Sequence, residues 1–257
     1  MQQLTHTAWI TGGGTGIGRA IALRLAREGW RVAISGRRAE PLEAVHADAR
    51  ELAGEILPMP VDVTDRDAMH RAAAEIREAF GTLYLCVLNA GTYFPYDARK
   101  DFDAEAFDKH YAVNFFGVIN GIDAVIDPMR EYHMGHIVIV SSVSGYSGLP
   151  LAAPYSSGKA ALINLAESLK FDLDPLNIKT TIVNPGFVET PLTDQNKFTM
   201  PAMVSTQTAA DRIVDGIHAG KFEINFPRRF TWILKFARIL PYFMYFPLMR
   251  KFTGRTA

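Results

Sequence analysis

Short apolar runs alternate with longer amphipathic segments through most of the chain. Seven runs have the length and composition of buried strands, and they cover residues 7–11, 31–35, 56–62, 83–89, 136–142, 178–184 and 222–226. The segments between them have helical periodicity and cover residues 16–29, 39–53, 65–80, 104–131, 155–175 and 206–219. Near-continuous apolar strands that alternate with helices are typical of a parallel sheet covered on both faces. The pattern therefore predicts an α/β protein with a doubly wound parallel sheet of about seven strands.

The chain has the length of one large α/β domain, 257 residues, and shows no repeat, linker or low-complexity segment. We therefore expect one domain over residues 1–226 and an apolar, basic extension of the same domain over residues 227–257. Lys and Arg together number 27, as do Asp and Glu, so composition gives no sign of a nucleic-acid partner. The charges are distributed unevenly, because residues 224–257 carry seven basic and no acidic side chains. Residues 1–223 then hold 20 basic against 27 acidic residues, a formal charge of −7.

The extension is predicted to contain a helix over Phe230–Leu240 that ends before Pro241. In such a helix Thr231, Lys235 and Arg238 form one narrow polar stripe, and nearly all other positions are apolar. We expect the broad apolar face to pack on the core or on another subunit of a homodimer or homotetramer. The alternative is peripheral association with a membrane surface, with the basic groups near anionic headgroups.

The only cysteine, Cys86, lies in an apolar run and is predicted to be a buried, inert thiol. A chain without a cysteine pair fits a reducing compartment. No signal-like segment precedes the first strand, and the uncharged stretch Ile239–Met249 is too short to cross a bilayer. We expect a cytoplasmic protein, with contact at the inner face of a membrane as the alternative.

A glycine-rich turn, TGGGTGIG, follows the first strand and opens the first helix. Glycines allow a tight turn and a close approach to a pyrophosphate, whose charge is favoured by a helix N-terminus. The position of this turn between a strand and a helix predicts a Rossmann-type dinucleotide site. Its candidate residues are Gly12, Gly14, Thr15, Gly16, Ile17 and Gly18.

The second strand ends in Gly36, Arg37 and Arg38, where an acidic residue would indicate NAD. Guanidinium groups can pair with a 2′-phosphate, so NADP(H) is favoured over NAD(H). Asp62 and Val63, after the third strand, are placed where an adenine could lie. Asp62 could equally be a turn residue.

A third group of residues, Ser142, Tyr155 and Lys159, is suited to proton transfer. Tyr155 and Lys159 stand four residues apart at the start of a predicted helix and therefore share a face. A neighbouring ammonium favours the phenolate and is expected to lower the pKa of the tyrosine. Tyr155 could then act as general acid and base at a substrate oxygen, while Ser142 donates a hydrogen bond to that oxygen.

These motifs together resemble the short-chain dehydrogenase/reductase family over residues 5–226. The matching segments are TGGGTGIG, LNAG (88–91), the asparagine of YAVNFFG, SS (141–142), YSSGK and NPGFVET (184–190). The resemblance implies a catalytic tetrad of Asn114, Ser142, Tyr155 and Lys159. In it Ser142 orients the carbonyl, Tyr155 donates the proton, Lys159 holds the nicotinamide ribose and tunes Tyr155, and Asn114 supports a water relay to Lys159.

The resemblance also implies further cofactor contacts. Asn89, Ala90 and Gly91 would line the adenosine side, and Pro185, Gly186, Val188 and Thr190 would position the nicotinamide. One departure concerns Gly14, because a serine at that position could have helped to hold a 2′-phosphate.

The predicted activity is hydride transfer between NADP(H) and a carbonyl or secondary alcohol of a hydrophobic substrate. Residues 190–205 correspond to a segment that often forms a lid over the substrate in this family. The candidate apolar lining is Tyr93, Phe94, Tyr96, Tyr146, Leu149, Phe187, Phe198, Met200 and Met203. The seven histidines are scattered without metal-ligand spacing, so no catalytic metal is expected. The alternatives are an NAD-dependent alcohol dehydrogenase of the same family and a non-catalytic NADP-binding regulatory protein.

Overall fold

Seven strands form one sheet in a computed structural model that describes residues 6–195 and 200–253. In chain order they are β1 (Thr7–Thr11), β2 (Arg31–Gly36), β3 (Glu55–Pro60), β4 (Leu85–Leu88), β5 (Gly135–Val140), β6 (Ile178–Pro185) and β7 (Glu223–Phe226). All neighbouring strands pair in parallel, in the spatial order β3-β2-β1-β4-β5-β6-β7. The predicted doubly wound Rossmann fold is therefore confirmed.

Helices cover both faces of this sheet. They are α1 (Gly16–Arg27), α2 (Ala39–Asp48), α3 (Arg66–Phe80), α4 (Ala104–Tyr111), α5 (Gly117–Glu131), α6 (Ala153–Leu173), α7 (Thr206–His218), α8 (Arg228–Ile239) and α9 (Tyr242–Thr253). Apolar side chains of α1, α2 and α7 pack on one face, and those of α3, α5 and α6 pack on the other. Every residue of β1, β4 and β5 is buried, which explains why these strands are continuous apolar runs in the sequence.

The long helix predicted over residues 104–131 is interrupted. A π-helical turn, Ala112–Phe116, separates α4 from α5. Such turns inside helices are rare and occur frequently at functional sites. The turn contains Asn114, whose side chain is buried. The predicted interval was right, but the periodicity of the side chains gave no sign of the wider backbone turn.

The strand order changes direction between β1 and β4, which lie side by side in the middle of the sheet. In doubly wound sheets the crevice beyond the carboxyl ends of the strands at this point is where ligands bind. The loops after β1, β4, β5 and β6 meet at this edge of the sheet. They contain the glycine-rich turn and the LNAG, SS and NPGFVET motifs.

The C-terminal extension forms two helices, α8 and α9, joined by Leu240 and Pro241. Leu240 is extended, with φ −70° and ψ 141°, as expected for a residue before proline. Helix α8 covers Arg228–Ile239, where the sequence predicted a helix over Phe230–Leu240. Among the described residues, no helix is long and apolar enough to cross a membrane.

Candidate active site

The glycine-rich turn leaves β1 and enters α1 with a shape that only glycine permits at two positions. A methyl group on Gly18 would stand 2.3 Å from the carbonyl oxygen of Gly12. Gly12 itself has φ +67°, and a methyl group there would stand 2.9 Å from the Cα atom of Ala90. The chain therefore folds tightly back on itself between the carboxyl ends of β1 and β4.

The N-terminus of α1 is open for an anion. Thr15 is the N-cap residue but makes no capping hydrogen bond with its side chain, and the first turn contains no acidic residue. Free N–H groups and the positive end of the helix dipole both favour a phosphate at this position. A dinucleotide pyrophosphate therefore fits the turn formed by Gly12, Gly14, Thr15, Gly16, Ile17 and Gly18.

A threonine and an asparagine hold this turn. The hydroxyl of Thr11 accepts hydrogen bonds from the backbone N–H groups of Asn89, at 3.0 Å, and Ala90, at 3.1 Å. The side-chain amide of Asn89 donates to the carbonyl oxygens of Thr11, at 3.0 Å, and Gly12, at 3.2 Å. The Asn89 amide thus fixes the loop, and Ala90 and Gly91 follow it at the mouth of the crevice.

The end of β2 presents two cations. Arg37 and Arg38 are both exposed, and neither makes an ion pair with another described residue. Arg38 is the N-cap residue of α2, directly beyond the strand. Two unpaired guanidinium groups at the carboxyl end of β2 form a basic surface, which is suited to a phosphate.

The carboxylate of Asp62 has a local role. Its Oδ1 atom accepts hydrogen bonds from the backbone N–H of Thr64, at 2.9 Å, and from the Thr64 hydroxyl, at 2.8 Å. This is the arrangement of a turn residue, the alternative that the sequence left open. Val63 is buried, and a methyl group on Gly117 would stand 2.6 Å from its Cγ2 atom, so Val63 packs against the start of α5.

Two consecutive serines follow β5, and their hydroxyls have different partners. The hydroxyl of Ser141 donates to the carbonyl oxygen of Lys159 at 2.7 Å and joins α6 to the end of the strand. The hydroxyl of Ser142 accepts a hydrogen bond from the N–H of Ser144 at 3.2 Å, which caps a short 3₁₀ turn. Ser142 also forms a hydrogen bond that lowers the pKa of Tyr155. The hydroxyl groups of Ser142 and Tyr155 therefore meet at the carboxyl end of β5.

Lys159 lies one turn after Tyr155 on α6, and its side chain points into the protein. The residue is buried, and its Nζ atom donates to the carbonyl oxygen of Val140 at 2.8 Å. The same atom lies 5.7 Å from the centre of the Tyr155 ring. The predicted shared face is therefore observed, and Ser142, Tyr155 and Lys159 come together in one place.

Burial shifts the pKa values of Tyr155 and Lys159 in the directions that favour the neutral form of each side chain. Burial raises the pKa of Tyr155 to about 12, although the hydrogen bond with Ser142 acts in the opposite direction. Burial lowers the pKa of Lys159 to about 8. The sequence predicted that Lys159 would lower the pKa of Tyr155. In the structure the loss of hydration has the larger effect, and Tyr155 carries its proton at neutral pH.

Asn114 lies close to this group. Its side-chain oxygen accepts from the N–H of Thr92 at 2.8 Å, and its side-chain nitrogen donates to the carbonyl oxygen of Thr92 at 2.9 Å. A methyl group on Gly91 would stand 3.0 Å from Asn114 Oδ1 and 3.9 Å from Lys159 Nζ. Asn114 therefore holds the loop after β4 against the site, beside the ammonium of Lys159.

The loop after β6 closes the crevice from the far side. Pro185 ends the strand, Gly186 donates its N–H to the carbonyl oxygen of Phe226 at 2.8 Å, and Val188 is buried in the core. Thr190 lies against the glycine-rich turn, because a methyl group on Gly16 would stand 3.1 Å from its Cγ2 atom. The Thr193 hydroxyl donates to the carbonyl oxygen of Val188 at 2.6 Å and fixes this loop.

Aromatic side chains lie beside the ring of Tyr155. The ring of Tyr93 meets the Tyr155 ring edge to face, with centres 5.1 Å apart. The ring centre of Phe94 lies 3.9 Å from that of His110, which is 6.5 Å from that of Tyr155. His110 is buried, and burial lowers its pKa, so the site is walled by uncharged rings on this side.

Other members of the predicted apolar lining have structural contacts. The Tyr96 hydroxyl accepts from the N–H of Asp103 at 2.9 Å, and the Tyr146 hydroxyl donates to Glu223 at 2.6 Å. Phe187 packs on Phe230, with ring centres 5.9 Å apart. Leu149 packs against α8 and α9, and Met203 is exposed. Phe198 lies outside the described residues.

Four polar residues that hold the site were not among the predicted contacts. They are Thr11, Ser141, Thr193 and Glu223. Thr11 and Ser141 lie inside quoted motifs, so a hydroxyl directly at a strand end was a signal that could have identified them. Glu223 had no such signal, because its partners Tyr146 and Asn184 are 77 and 39 residues away in sequence. Within residues 6–195 and 200–253, no cluster of His, Cys, Asp and Glu is arranged to hold a metal ion.

Comparison with known proteins agrees with this geometry. Residues 6–200 match the family model of short chain dehydrogenases. An uncharacterized oxidoreductase of Myxococcus xanthus is 36% identical over 236 residues, which cover 92% of this chain and 93% of that protein. Human 17-beta-hydroxysteroid dehydrogenase 13 is 30% identical over 235 residues, 90% of this chain and 78% of that protein.

A solved structure of a variant of actinorhodin polyketide ketoreductase with NADPH superimposes with a TM-score of 0.77. The two chains are 26% identical, and the match covers 86% of this chain and 95% of that chain. The family match extends over most of the chain and includes the glycine-rich turn, Ser142, Tyr155 and Lys159. The protein is therefore a member of the short-chain dehydrogenase family, an NAD(P)-dependent oxidoreductase that acts on alcohol and carbonyl groups.

Proposed function

We propose that the enzyme transfers a hydride between NADP(H) and the carbonyl or secondary alcohol carbon of an apolar substrate, with Tyr155 as general acid and base. The observation that carries the proposal is the meeting of the Ser142 and Tyr155 hydroxyls at the carboxyl end of β5, with Lys159 beside them. A binding protein without turnover has no need of a buried lysine next to a half-buried phenol.

The loops after β1, β4 and β6 would each bind a different part of the cofactor. The open N-terminus of α1 would hold the pyrophosphate, and Ala90 and Gly91 would border the adenosine. Pro185, Gly186, Val188 and Thr190 would border the nicotinamide, which supplies the donor or acceptor of the hydride when it is bound. Lys159 donates one hydrogen bond to Val140 and keeps further N–H groups for the ribose of the nicotinamide.

The proton moves through Tyr155. In the reduction, Ser142 donates a hydrogen bond to the substrate carbonyl oxygen, and Tyr155 transfers its phenolic proton to the same oxygen. The pKa of about 12 keeps that proton on Tyr155 until the oxygen becomes basic. In the oxidation the same phenol oxygen takes the proton of the alcohol. Asn114 positions the loop that borders Lys159.

An apolar substrate is proposed because the rings of Tyr93 and His110 lie beside the ring of Tyr155. Tyr93 and Phe94 lie on the substrate side, and burial raises the pKa of Tyr93, so this wall carries no charge at neutral pH. The related proteins are named as a hydroxysteroid dehydrogenase and a polyketide ketoreductase, names that fit bulky carbonyl compounds.

The mechanism is tested by Tyr155→Phe, which removes the proton and leaves the ring. We expect NADPH oxidation, with a carbonyl substrate found by screening ketones of graded chain length, to fall by about 10²- to 10⁴-fold. Binding of NADPH, followed by its fluorescence, should change little. The control is Tyr132→Phe, because Tyr132 is exposed at the end of α5. A Tyr155→Phe enzyme with more than half of the wild-type turnover would show that another group supplies the proton.

The proposed preference for NADP(H) rests on Arg37 and Arg38, which are exposed at the end of β2 and form no ion pair with any acidic side chain that the structure describes. We expect Arg37→Asp to weaken the binding of NADPH by about 10- to 100-fold, the effect of losing one charge-assisted hydrogen bond. The binding of NADH should be unchanged or tighter. Arg50→Asp is the matched control, since Arg50 is exposed beyond the far end of α2. Equal losses for both cofactors in Arg37→Asp would remove the basis for the preference.

A further inference from the structure

Helix α8 buries Leu234 and Ala237 but turns most of its large apolar side chains outwards. Two residues of the polar stripe face the protein: Thr231 is buried, with its hydroxyl 3.0 Å from Asn225 Oδ1, and Lys235 forms an ion pair with Glu223. The third, Arg238, is exposed. The broad apolar face is turned outwards, with Trp232 69% exposed and Phe236 61% exposed. A helix that folded only to complete the core of a monomer would expose the opposite face.

Helix α9 packs against α8 through Tyr245 and Met249, which cluster with Ala237, and it adds to the exposed apolar surface. We name it the tail surface, and its exposed members are Trp232, Ile233, Phe236, Ile239, Tyr242, Phe243, Met244, Phe246 and Phe252. These are nine of the fourteen large apolar residues that are exposed in the described part of the chain. Monomeric soluble proteins rarely expose such contiguous groups unless something binds there.

Basic side chains lie on the same two helices as the tail surface. The exposed ones are Arg228, Arg229, Arg238, Arg250 and Lys251, and none of them pairs with an acidic side chain among the described residues. No acidic residue follows Glu223 in the sequence. The occupant of this surface therefore has to offer an apolar layer bordered by negative charge.

We propose that the tail surface docks on a bilayer of anionic phospholipid. Exposed aromatic rings with Arg and Lys beside them match the boundary between acyl chains and headgroups, where Trp and Tyr are enriched. A second copy of the chain fits less well. A two-fold contact pairs a patch with itself and would bring the five cations of each copy together. Anionic headgroups neutralise these cations.

The helices that carry the tail surface contact two loops that border the active site. Phe230 of α8 packs on Phe187 of the loop after β6. The Tyr245 hydroxyl of α9 donates to the carbonyl oxygen of Gly148 at 2.8 Å, six residues after Ser142. Docking would thus place the mouth of the site next to lipid, and an apolar substrate could then come from the bilayer. This last consequence rests on the proposed function, whereas the docking does not.

The test is co-sedimentation of the full-length protein, without substrate, with vesicles of phosphatidylcholine alone or with about 30% phosphatidylglycerol. We expect binding to the anionic vesicles that weakens as salt is raised from about 20 to about 500 mM, and weaker binding to the neutral ones. Trp232 provides a second readout, because Trp9 and Trp30 are buried and only Trp232 can move from water into lipid. Its emission should shift to shorter wavelength on anionic vesicles, and Trp232→Phe should abolish that shift.

Two variants with matched controls identify the surface. Trp232→Gln/Phe236→Gln/Phe243→Gln should abolish vesicle binding, whereas Phe102→Gln/Tyr132→Gln/Phe171→Gln, which alters exposed rings outside the tail, should not. Arg228→Gln/Arg229→Gln/Arg238→Gln should weaken binding on the order of 100-fold. The charge control is Arg50→Gln/Arg77→Gln/Arg130→Gln, at the far ends of α2, α3 and α5.

Wild-type protein that does not bind anionic vesicles at low salt would overturn the proposal, whatever the variants do. Sedimentation equilibrium tests the alternative occupant, a second copy of the chain. If the tail variants convert a dimer or tetramer into a monomer and no vesicle binding is seen, the surface is a subunit contact and the proposal is wrong. The NADPH turnover of Tyr155→Phe does not enter these measurements. The docking proposal and the proposed catalytic function can therefore be refuted independently of each other.

Discussion

At the scale of single residues, the site is built from polar groups that lose their water. Burial raises the pKa of Tyr155 to about 12 and lowers the pKa of Lys159 to about 8. At pH 7 the phenol is therefore protonated and the amine is still mostly an ammonium. The proximity of the two residues in the sequence led us to expect the ammonium as the main influence on Tyr155. In the structure loss of hydration is the largest influence on this pKa, ahead of the hydrogen bond with Ser142 and the nearby Tyr93. It is a property of the folded pocket that sequence spacing cannot report.

The pH dependence of the two reaction directions follows from these values. Reduction needs the phenol, which persists up to about pH 12, so its kcat/KM should be nearly constant between pH 6 and 8. Oxidation needs the phenolate, whose fraction rises about tenfold per pH unit below the pKa of Tyr155. We therefore expect kcat/KM for alcohol oxidation to rise with a slope near one over the same range. An oxidation profile that levels off below pH 7 would mean that Lys159 lowers the pKa of Tyr155 after all.

At the scale of elements, the sequence predicted each of the seven strands and the six helices that alternate with them, because burial on both faces leaves a strong apolar signal. Nothing in the sequence indicated the π-helical turn at Asn114. The side chain of Asn114 in this turn accepts a hydrogen bond from the N–H of Thr92, which is 22 residues away in sequence. The sequence left the orientation of α8 open between the core, another subunit and a membrane surface, and in the structure Lys235 pairs with Glu223 on β7. The periodicity of apolar positions within a segment cannot indicate partners that lie far away in the sequence.

A buried histidine joins two of these strands and makes their pairing sensitive to acid. His136 on β5 lies 2.8 Å from the Thr181 hydroxyl on β6, which donates in turn to the carbonyl oxygen of Lys221. Burial, with a smaller contribution from Lys179, lowers the pKa of His136 from 6.5 to about 4. Between these two pH values the unfolded chain binds the proton more readily, so stability falls as the pH falls.

We therefore expect the free energy of unfolding to fall by about 1.5 kcal/mol between pH 6.5 and pH 5 through His136 alone. His136→Gln keeps a donor for Thr181 and removes the titration. Urea unfolding at pH 7, 6 and 5 should show a shallower loss for this variant than for the wild type. The matched control is His133→Gln at the exposed turn before β5, which should keep the wild-type slope. Identical slopes for wild type and His136→Gln would refute the assignment.

At the scale of the whole molecule, one carboxylate connects the extension to the catalytic domain. Glu223 at the start of β7 accepts hydrogen bonds from Tyr146, at 2.6 Å, and Asn184, at 2.9 Å, and it pairs with Lys235. Burial raises the pKa of Glu223, but the hydrogen bonds from Lys235, Tyr146 and Asn184 together lower it below its ordinary value. The net stabilisation is present above the unfolded pKa and is lost as pH falls through the folded one. The charge therefore holds α8 to the segment that follows Ser142.

Lys235→Met tests this connection, because it keeps the length of the side chain and leaves the half-buried carboxylate without its cation. We expect the free energy of unfolding to fall by about 1–2 kcal/mol, less than for a fully buried pair because both groups keep some contact with water. Glu223→Gln in the same chain should recover part of this loss, since the uncompensated charge is then gone. Lys109→Met, which breaks the exposed pair with Glu105, should cost no more than about 0.5 kcal/mol in urea unfolding. Proteolysis gives a second test. If the ion pair between Lys235 and Glu223 holds α8, chymotrypsin should cleave the extension faster in Lys235→Met than in Lys109→Met. Equal cleavage rates would show that the apolar contacts of Leu234 and Ala237 hold the helix without it.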